Sequence, residues 1–213
     1  MPVKLDIGAH HITTTMEEIT LFPQLIHKIN IPEHQTIKDR FAGKFIKAFK
    51  EQKTKKADWA DLCNSWQVQS DDSAYLFNQY FSTHVNNWFD GYGYPKIEYK
   101  ITPWCNVHTY DMYQEAHNHM GPNVLLCGIY YLKFDNEKDR AVVFNANSAY
   151  MDFLYCVGVE PRHHYFGKRS HGLLKIKEGD LILFTPDQQH FAPCAKEKHD
   201  GHRITISFNI HKI

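Results

Sequence analysis

The fold of this chain is indicated most clearly by a short stretch that reads QEAHNH at residues 114–119. Alternate side chains of an extended strand point to the same side, so His117 and His119 can face one common point. A third histidine, His190, lies far downstream, after the apolar run LILF at residues 181–184 and a proline-containing turn. One metal can use two neighbouring histidines and a remote one only if distant strands meet, and this order therefore favours a β barrel.

A basic residue opens the last predicted strand, which reads RITISFNI at residues 203–210. Arg203, Thr205 and Ser207 share one face of this strand by alternation. A buried cation is costly without a partner, and a bound carboxylate would supply one, with a hydroxyl adding a hydrogen bond. An edge-strand arginine paired with surface acids is the alternative. Two close histidines, one remote histidine and a following arginine predict a non-haem iron site beside a dicarboxylate co-substrate.

Helices and then strands are predicted along the chain. Apolar residues recur every four positions from Ile37 to Phe49, and a second helix is predicted to start near Asp72 or Ser73, whose side chains can cap it. Glycines and Pro95 end that helix. Strands are predicted at Ile97–Val107, Val124–Phe134, Ala141–Phe144, Leu173–Ile176, Asp180–Phe184 and Arg203–Ile210.

This order predicts a mainly β member of the α+β class. We expect a double-stranded β-helix barrel, of the jelly-roll or cupin-like kind, with the N-terminal helices packed on its outer sheet. Residues 1–213 are expected to form a single domain, with a mostly helical support region at 1–95 and the barrel core at 96–213.

The composition of the chain bears on its binding partners and its cellular compartment. The 24 basic and 24 acidic residues balance, so steering toward nucleic acid or a membrane is not indicated. The chain has no apolar segment of membrane-spanning length and no apolar core of a secretory signal near Met1. Its five cysteines are an odd number without a Cys-x-x-Cys pair, which favours a reducing cytoplasm. The oligomeric state is not indicated.

Several motifs together resemble the 2-oxoglutarate/Fe(II)-dependent oxygenases of bacteria and tailed phages, relatives of the prolyl hydroxylases. The motifs that carry this resemblance are Leu21-Phe22-Pro23, Ser65-Trp66-Gln67, Trp104-Cys105-Asn106, His117-Asn118-His119, residues 128–132 (GIYYL), residues 179–184 (GDLILF), His190 and residues 203–209 (RITISFN). The resemblance covers most of the chain. A phage-encoded member would work in the host cytoplasm.

The resemblance implies a catalytic site and its cofactors. His117, His119 and His190 would bind Fe(II), and Arg203 would bind the distal carboxylate of the co-substrate 2-oxoglutarate, with Thr205 or Ser207 assisting. The implied activity is a dioxygenase that uses O2 to hydroxylate a small-molecule or peptide substrate and releases succinate and CO2.

One departure from the usual metal-binding pattern keeps two alternative functions open. The broader superfamily commonly has His-x-Asp, whereas His119 here replaces the carboxylate and raises the net charge of the metal centre by one. A cupin-type three-histidine dioxygenase that does not use 2-oxoglutarate is one alternative, although it leaves Arg203 without a role. A non-catalytic metal-binding barrel is the other, although structural zinc usually has four protein ligands.

Overall fold

A computed structural model describes residues 26–51, 54–56, 65–68, 70–145, 170–172 and 175–213. The motif at residues 21–23, and Cys63 and Cys156, lie outside these ranges, as does half of the strand predicted at Leu173–Ile176. Among the described residues, no helix is both long and apolar enough to span a bilayer.

The helices lie in the first half of the chain. Helix α1 spans His34–Lys50, and α2 spans Asp72–Leu76 and continues through a π-helical turn at Phe77–Phe81 into α3 at Ser82–Gly91. The predicted cap is wrong in detail, because Asp72 and Ser73 lie inside α2. The hydroxyl oxygen of Ser70 instead accepts a hydrogen bond from the backbone N–H of Asp72 at 3.1 Å.

The strands form two antiparallel sheets. The strands are β1 (Ile26–Asn30), β2 (Thr54–Lys56), β3 (Trp66–Val68), β4 (Tyr99–His108), β5 (Gln114–His117), β6 (Val124–Lys133), β7 (Val143–Asn145), β8 (Ser170–Gly172), β9 (Asp180–Phe184), β10 (His190–Ala192) and β11 (Arg203–Lys212). The major sheet has the order β1-β9-β6-β11-β4-β3-β2, and the minor sheet has the order β5-β10-β7-β8. Strands far apart in sequence are therefore neighbours, as a double-stranded β-helix requires.

The helices cover one face of the major sheet, as the sequence predicts. Phe41 and Phe45 of α1 and Phe77 and Phe81 of the helical segment after it belong to the same buried cluster as Phe208 of β11. Burying side chains of this size contributes roughly 1.5–3 kcal/mol each. A second, smaller apolar cluster lies on the other face of the major sheet and joins β6, β7 and β9.

The alternation of β11 determines which of its residues line the space between the sheets. The even-numbered residues 204, 206, 208 and 210 are buried in the helix-covered cluster. Arg203, Thr205, Ser207 and Asn209 point the other way and line a cavity between the major and minor sheets. Three strands, β1, β2 and β3, also lie in the N-terminal region that was expected to be mostly helical. They extend the major sheet at both edges.

Candidate metal centre

Two short strands of the minor sheet bring the three predicted histidines together. His117 is the last residue of β5, and His190 is the first residue of β10 and lies opposite it in the antiparallel register. The ring centroids of His117 and His190 are 4.4 Å apart, and that of His119 is 5.2 Å from the first and 5.1 Å from the second.

Backbone carbonyls orient two of these imidazoles. Nδ1 of His117 lies 2.7 Å from the carbonyl oxygen of Glu115, and Nδ1 of His190 lies 2.9 Å from that of Gln188. A carbonyl oxygen only accepts hydrogen bonds, so each Nδ1 carries the proton. Each Nε2 is then the unprotonated nitrogen, which is the arrangement that metal-binding histidines use.

The spacing of the ligand atoms fits one metal ion. The candidate ligand nitrogens of His117, His119 and His190 all lie within 4.8 Å of one another. With bonds of about 2.1 Å, two nitrogens at right angles on one ion are roughly 3 Å apart. The three histidines are therefore close enough to serve as ligands of one ion once their rings turn toward it. Within the described part of the chain, the candidate ligands of this group are three histidines and no Asp or Glu.

Burial keeps the three histidines in the neutral form that binds metals. Desolvation lowers the pKa of His117, lowers that of His119 to about 4 and lowers that of His190 to about 3. Repulsion between neighbouring imidazoles adds to the lowering for His119 and His190. All three nitrogens are consequently available to a cation near neutral pH.

Arg203 lines the same cavity, and the described residues that hydrogen-bond to its guanidinium are all neutral. The side chain is 5% exposed. Nη1 donates to the carbonyl oxygens of Arg140 and of Pro193, the latter at 3.0 Å, and Nη2 donates to Nδ1 of His108 at 2.6 Å. No carboxylate of the described residues lies within ion-pair distance of this guanidinium. A buried cation is costly without an anionic partner, and a bound anion would offset that cost.

His108 also lines the cavity, although no role was predicted for it from the sequence. It lies directly opposite Arg203 in the pairing of β4 with β11. Burial and the charge of Arg203 hold the pKa of His108 well below its usual value, so it is neutral. Because a guanidinium cannot accept a hydrogen bond, Nδ1 of His108 is the acceptor and its Nε2 donates to the hydroxyl of Ser65 at 2.8 Å.

Amide side chains continue this polar lining between Arg203 and the histidines. Nδ2 of Asn106 lies 3.5 Å from the hydroxyl of Thr205 and 3.4 Å from that of Ser207. Gln114 donates to Ser65 at 3.1 Å. Asn106 was singled out by the sequence only as part of a motif, and Gln114 only as part of the quoted stretch, with no role assigned to either.

An open cleft of about 540 Å³ leads to the histidines from outside. His117, His119 and Trp104 line both the cleft and the cavity, whereas Gln67 and Asn118 line the cleft alone. None of the described residues that line this cleft is Asp, Glu, Lys or Arg. The described lining of this cleft is therefore uncharged where it reaches His117 and His119, and Arg203 lines the adjoining cavity between the two sheets.

Comparisons with solved structures show which proteins share this fold. A prolyl-4-hydroxylase from Pseudomonas putida matches with a TM-score of 0.62 at 9% identity, over 89% of this chain and 94% of that one. The non-haem alpha-ketoglutarate-dependent carbocyclase SnoK from nogalamycin biosynthesis matches with a TM-score of 0.61 at 10% identity, over 88% and 79%. HygX from Streptomyces hygroscopicus, with nickel, 2-oxoglutarate and hygromycin B bound, matches with a TM-score of 0.58 at 11% identity, over 88% and 83%.

These likenesses confirm the double-stranded β-helix fold. No curated protein matches the sequence significantly. A family model with the description "Putative 2OG-Fe(II) oxygenase" matches residues 102–209, which run from β4 to β11 and include all three histidines and Arg203. Because this match covers more than half of the chain, the chain belongs to the 2OG-Fe(II) oxygenase family.

Proposed function

We propose that this protein is an Fe(II)- and 2-oxoglutarate-dependent dioxygenase that hydroxylates a C–H bond of a small-molecule or peptide substrate. In this proposal His117, His119 and His190 are the iron ligands. Arg203 binds the distal carboxylate of 2-oxoglutarate, and Thr205 and Ser207 assist. The reaction would convert substrate, O2 and 2-oxoglutarate into hydroxylated substrate, succinate and CO2.

The observation that carries this proposal is the buried guanidinium of Arg203 in the same cavity as three convergent imidazoles. Thr205 and Ser207 lie on the same strand face, between Arg203 and the end of β11 that contacts His119. A dicarboxylate lying along this face would have one end at the guanidinium and its keto-acid end at the histidines. Two carboxylates at a fixed separation would then be recognised together.

The chain's own residues have three further roles in this proposal. The carbonyls of Glu115 and Gln188 fix the tautomers of two iron ligands. Neutral His108 holds the guanidinium in place without cancelling its charge. The cleft beside Trp104 would admit substrate, and the cavity between the two sheets would hold the co-substrate. When bound, iron would supply the activation of O2.

The two alternatives account for fewer of these features. A cupin-type three-histidine dioxygenase explains the histidines but gives no reason for a buried arginine beside them whose hydrogen-bond partners among the described residues are all neutral. A non-catalytic metal-binding barrel explains neither that arginine nor the cleft. We further propose that residues 1–213 act as a single domain in a cytoplasm.

Anaerobic titration of the Fe(II) protein with 2-oxoglutarate tests the proposal. Chelation of Fe(II) by the keto acid should produce a visible metal-to-ligand charge-transfer band that saturates at one equivalent per protein. His117→Ala, His119→Ala and His190→Ala should each weaken Fe(II) binding strongly. A protein that binds Fe(II) through these histidines but gives no such band would favour the cupin-type alternative.

A further inference from the structure

The Nδ1 atom of His119 has a different kind of partner from the Nδ1 atoms of the other two histidines in the cluster. Nδ1 of His117 and of His190 each face a backbone carbonyl, whereas Nδ1 of His119 faces the side-chain amide of Asn209 at 3.3 Å. Asn209 lies on β11, on the same inward face as Arg203, and it lines the cavity. The side chain of Asn209 thus faces Nδ1 of His119 as a backbone carbonyl faces Nδ1 of His117 and of His190.

The chemistry of the imidazole determines which end of this amide must face His119. To bind a metal through Nε2, a neutral imidazole must carry its proton on Nδ1. A protonated Nδ1 needs an acceptor, and Oδ1 is the only acceptor of an asparagine side chain. An Nδ2 group at the same position would force the proton onto Nε2 and block the metal-binding lone pair.

The surroundings of Asn209 leave its amide free to take that orientation. In the structure Nδ2 faces His119, and the buried Oδ1 has no hydrogen-bond partner among the described residues. Rotating the amide by a half-turn exchanges the two atoms and breaks no other hydrogen bond of this side chain within the described part of the chain. The oxygen and nitrogen of an amide have nearly the same shape, so the rotation also keeps the packing.

We propose that Asn209 is a positioning residue for the iron ligand His119, whose Nδ1–H donates to Oδ1 of Asn209. This inference rests on the proposed function, because it requires iron at the three histidines. It assigns Asn209 a role beyond those of Arg203, Thr205 and Ser207 on the same strand. An asparagine orients the ring without adding a negative charge to a site whose three ligands are all neutral.

Metal affinity and redox potential measured on three variants test this role. Asn209→Leu keeps the approximate volume but removes the acceptor, and it should weaken Fe(II) binding by about 10- to 100-fold. Asn209→Asp keeps an acceptor and adds a negative charge, so it should retain or exceed wild-type affinity and lower the Fe(III)/Fe(II) potential. Asn86→Leu is the matched control, because Asn86 accepts a hydrogen bond from Tyr99 on the protein surface, away from the histidines.

A double-mutant cycle separates ligand positioning from a general effect on the barrel. In a His119→Ala background, Asn209→Leu should cause no further loss of Fe(II) affinity. An equal loss in both backgrounds, or wild-type affinity and potential in both Asn209 variants, would overturn the inference alone. If the wild-type protein does not bind Fe(II), or binds it equally well without His117, the proposed function fails and this inference fails with it.

Discussion

Replacing Arg203 by alanine should abolish binding of 2-oxoglutarate while leaving Fe(II) affinity nearly unchanged. The guanidinium is 5% exposed and its contacts within the described residues are neutral acceptors. A bound carboxylate would therefore lose its buried counter-ion, which typically costs about 3–5 kcal/mol. At about 1.4 kcal/mol per tenfold change, the dissociation constant should rise by roughly 140- to 4,000-fold.

Two further substitutions at the same position divide this effect into charge and geometry. Arg203→Lys keeps the charge but loses the two-pronged donor, so it should retain part of the affinity. Arg203→Gln loses the charge while keeping an amide donor for the carbonyls of Arg140 or Pro193, so it should bind as weakly as the alanine variant. Arg40→Ala is the matched control, since Arg40 lies on α1 and contacts Phe41 and Tyr75.

The assay is anaerobic titration of the Fe(II)-loaded proteins with 2-oxoglutarate, followed by the charge-transfer band and by calorimetry. Fe(II) affinity is measured separately, and thermal unfolding confirms that each variant is folded. Wild-type binding of 2-oxoglutarate by a folded Arg203→Ala protein would refute the assignment of this carboxylate site. A parallel loss of Fe(II) and 2-oxoglutarate would also refute it, because the arginine would then support the metal site.

Three other outcomes are expected. His119→Ala should weaken Fe(II) binding by at least 10-fold in equilibrium titrations, and wild-type affinity would exclude His119 as a ligand. Because the folded-state pKa values of His119 and His190 are depressed to about 4 and about 3, the metal-free protein should keep full stability above pH ~6.5. It should lose up to about 1.4 kcal/mol per pH unit for each histidine as the pH falls toward those values, and a flat denaturant-measured profile would contradict this. Gly128→Ala should destabilise the protein by about 1–3 kcal/mol in thermal unfolding, because its Cβ would lie 2.1 Å from the buried Phe208 ring, whereas Gly43→Ala, with no atom within 4 Å, should not.

Local patterns in the sequence were sufficient for the long elements and for the inward face of the last strand. The bounds predicted for Asp180–Phe184 are those of β9, and alternation alone placed Arg203, Thr205 and Ser207 on one side of β11. The same alternation extends to Asn209, so the sequence contained that signal although it was not used. Side-chain direction along a strand depends only on the strand itself, which is why these features could be predicted.

Several of the short strands were not predicted, because their pattern is brief. Strands β3, β8 and β10 have three residues each, which is too few for alternation to be distinguished from chance, although β7, of the same length, overlaps the strand predicted at Ala141–Phe144. Their positions follow from pairing with partners distant in the chain. The sequence suggested that His190 joins His117, but only the pairing of β10 with β5 shows how they meet.

The sequence by itself therefore determined which residue types could bind iron and a dicarboxylate, and which of them share a strand face. Only the tertiary structure decided their partners. His108 lies opposite Arg203 although 95 residues separate them, and Asn209 reaches His119 across 90 residues. The register between two distant strands depends on the packing of both sheets and the helices together, and no pattern within either strand specifies it.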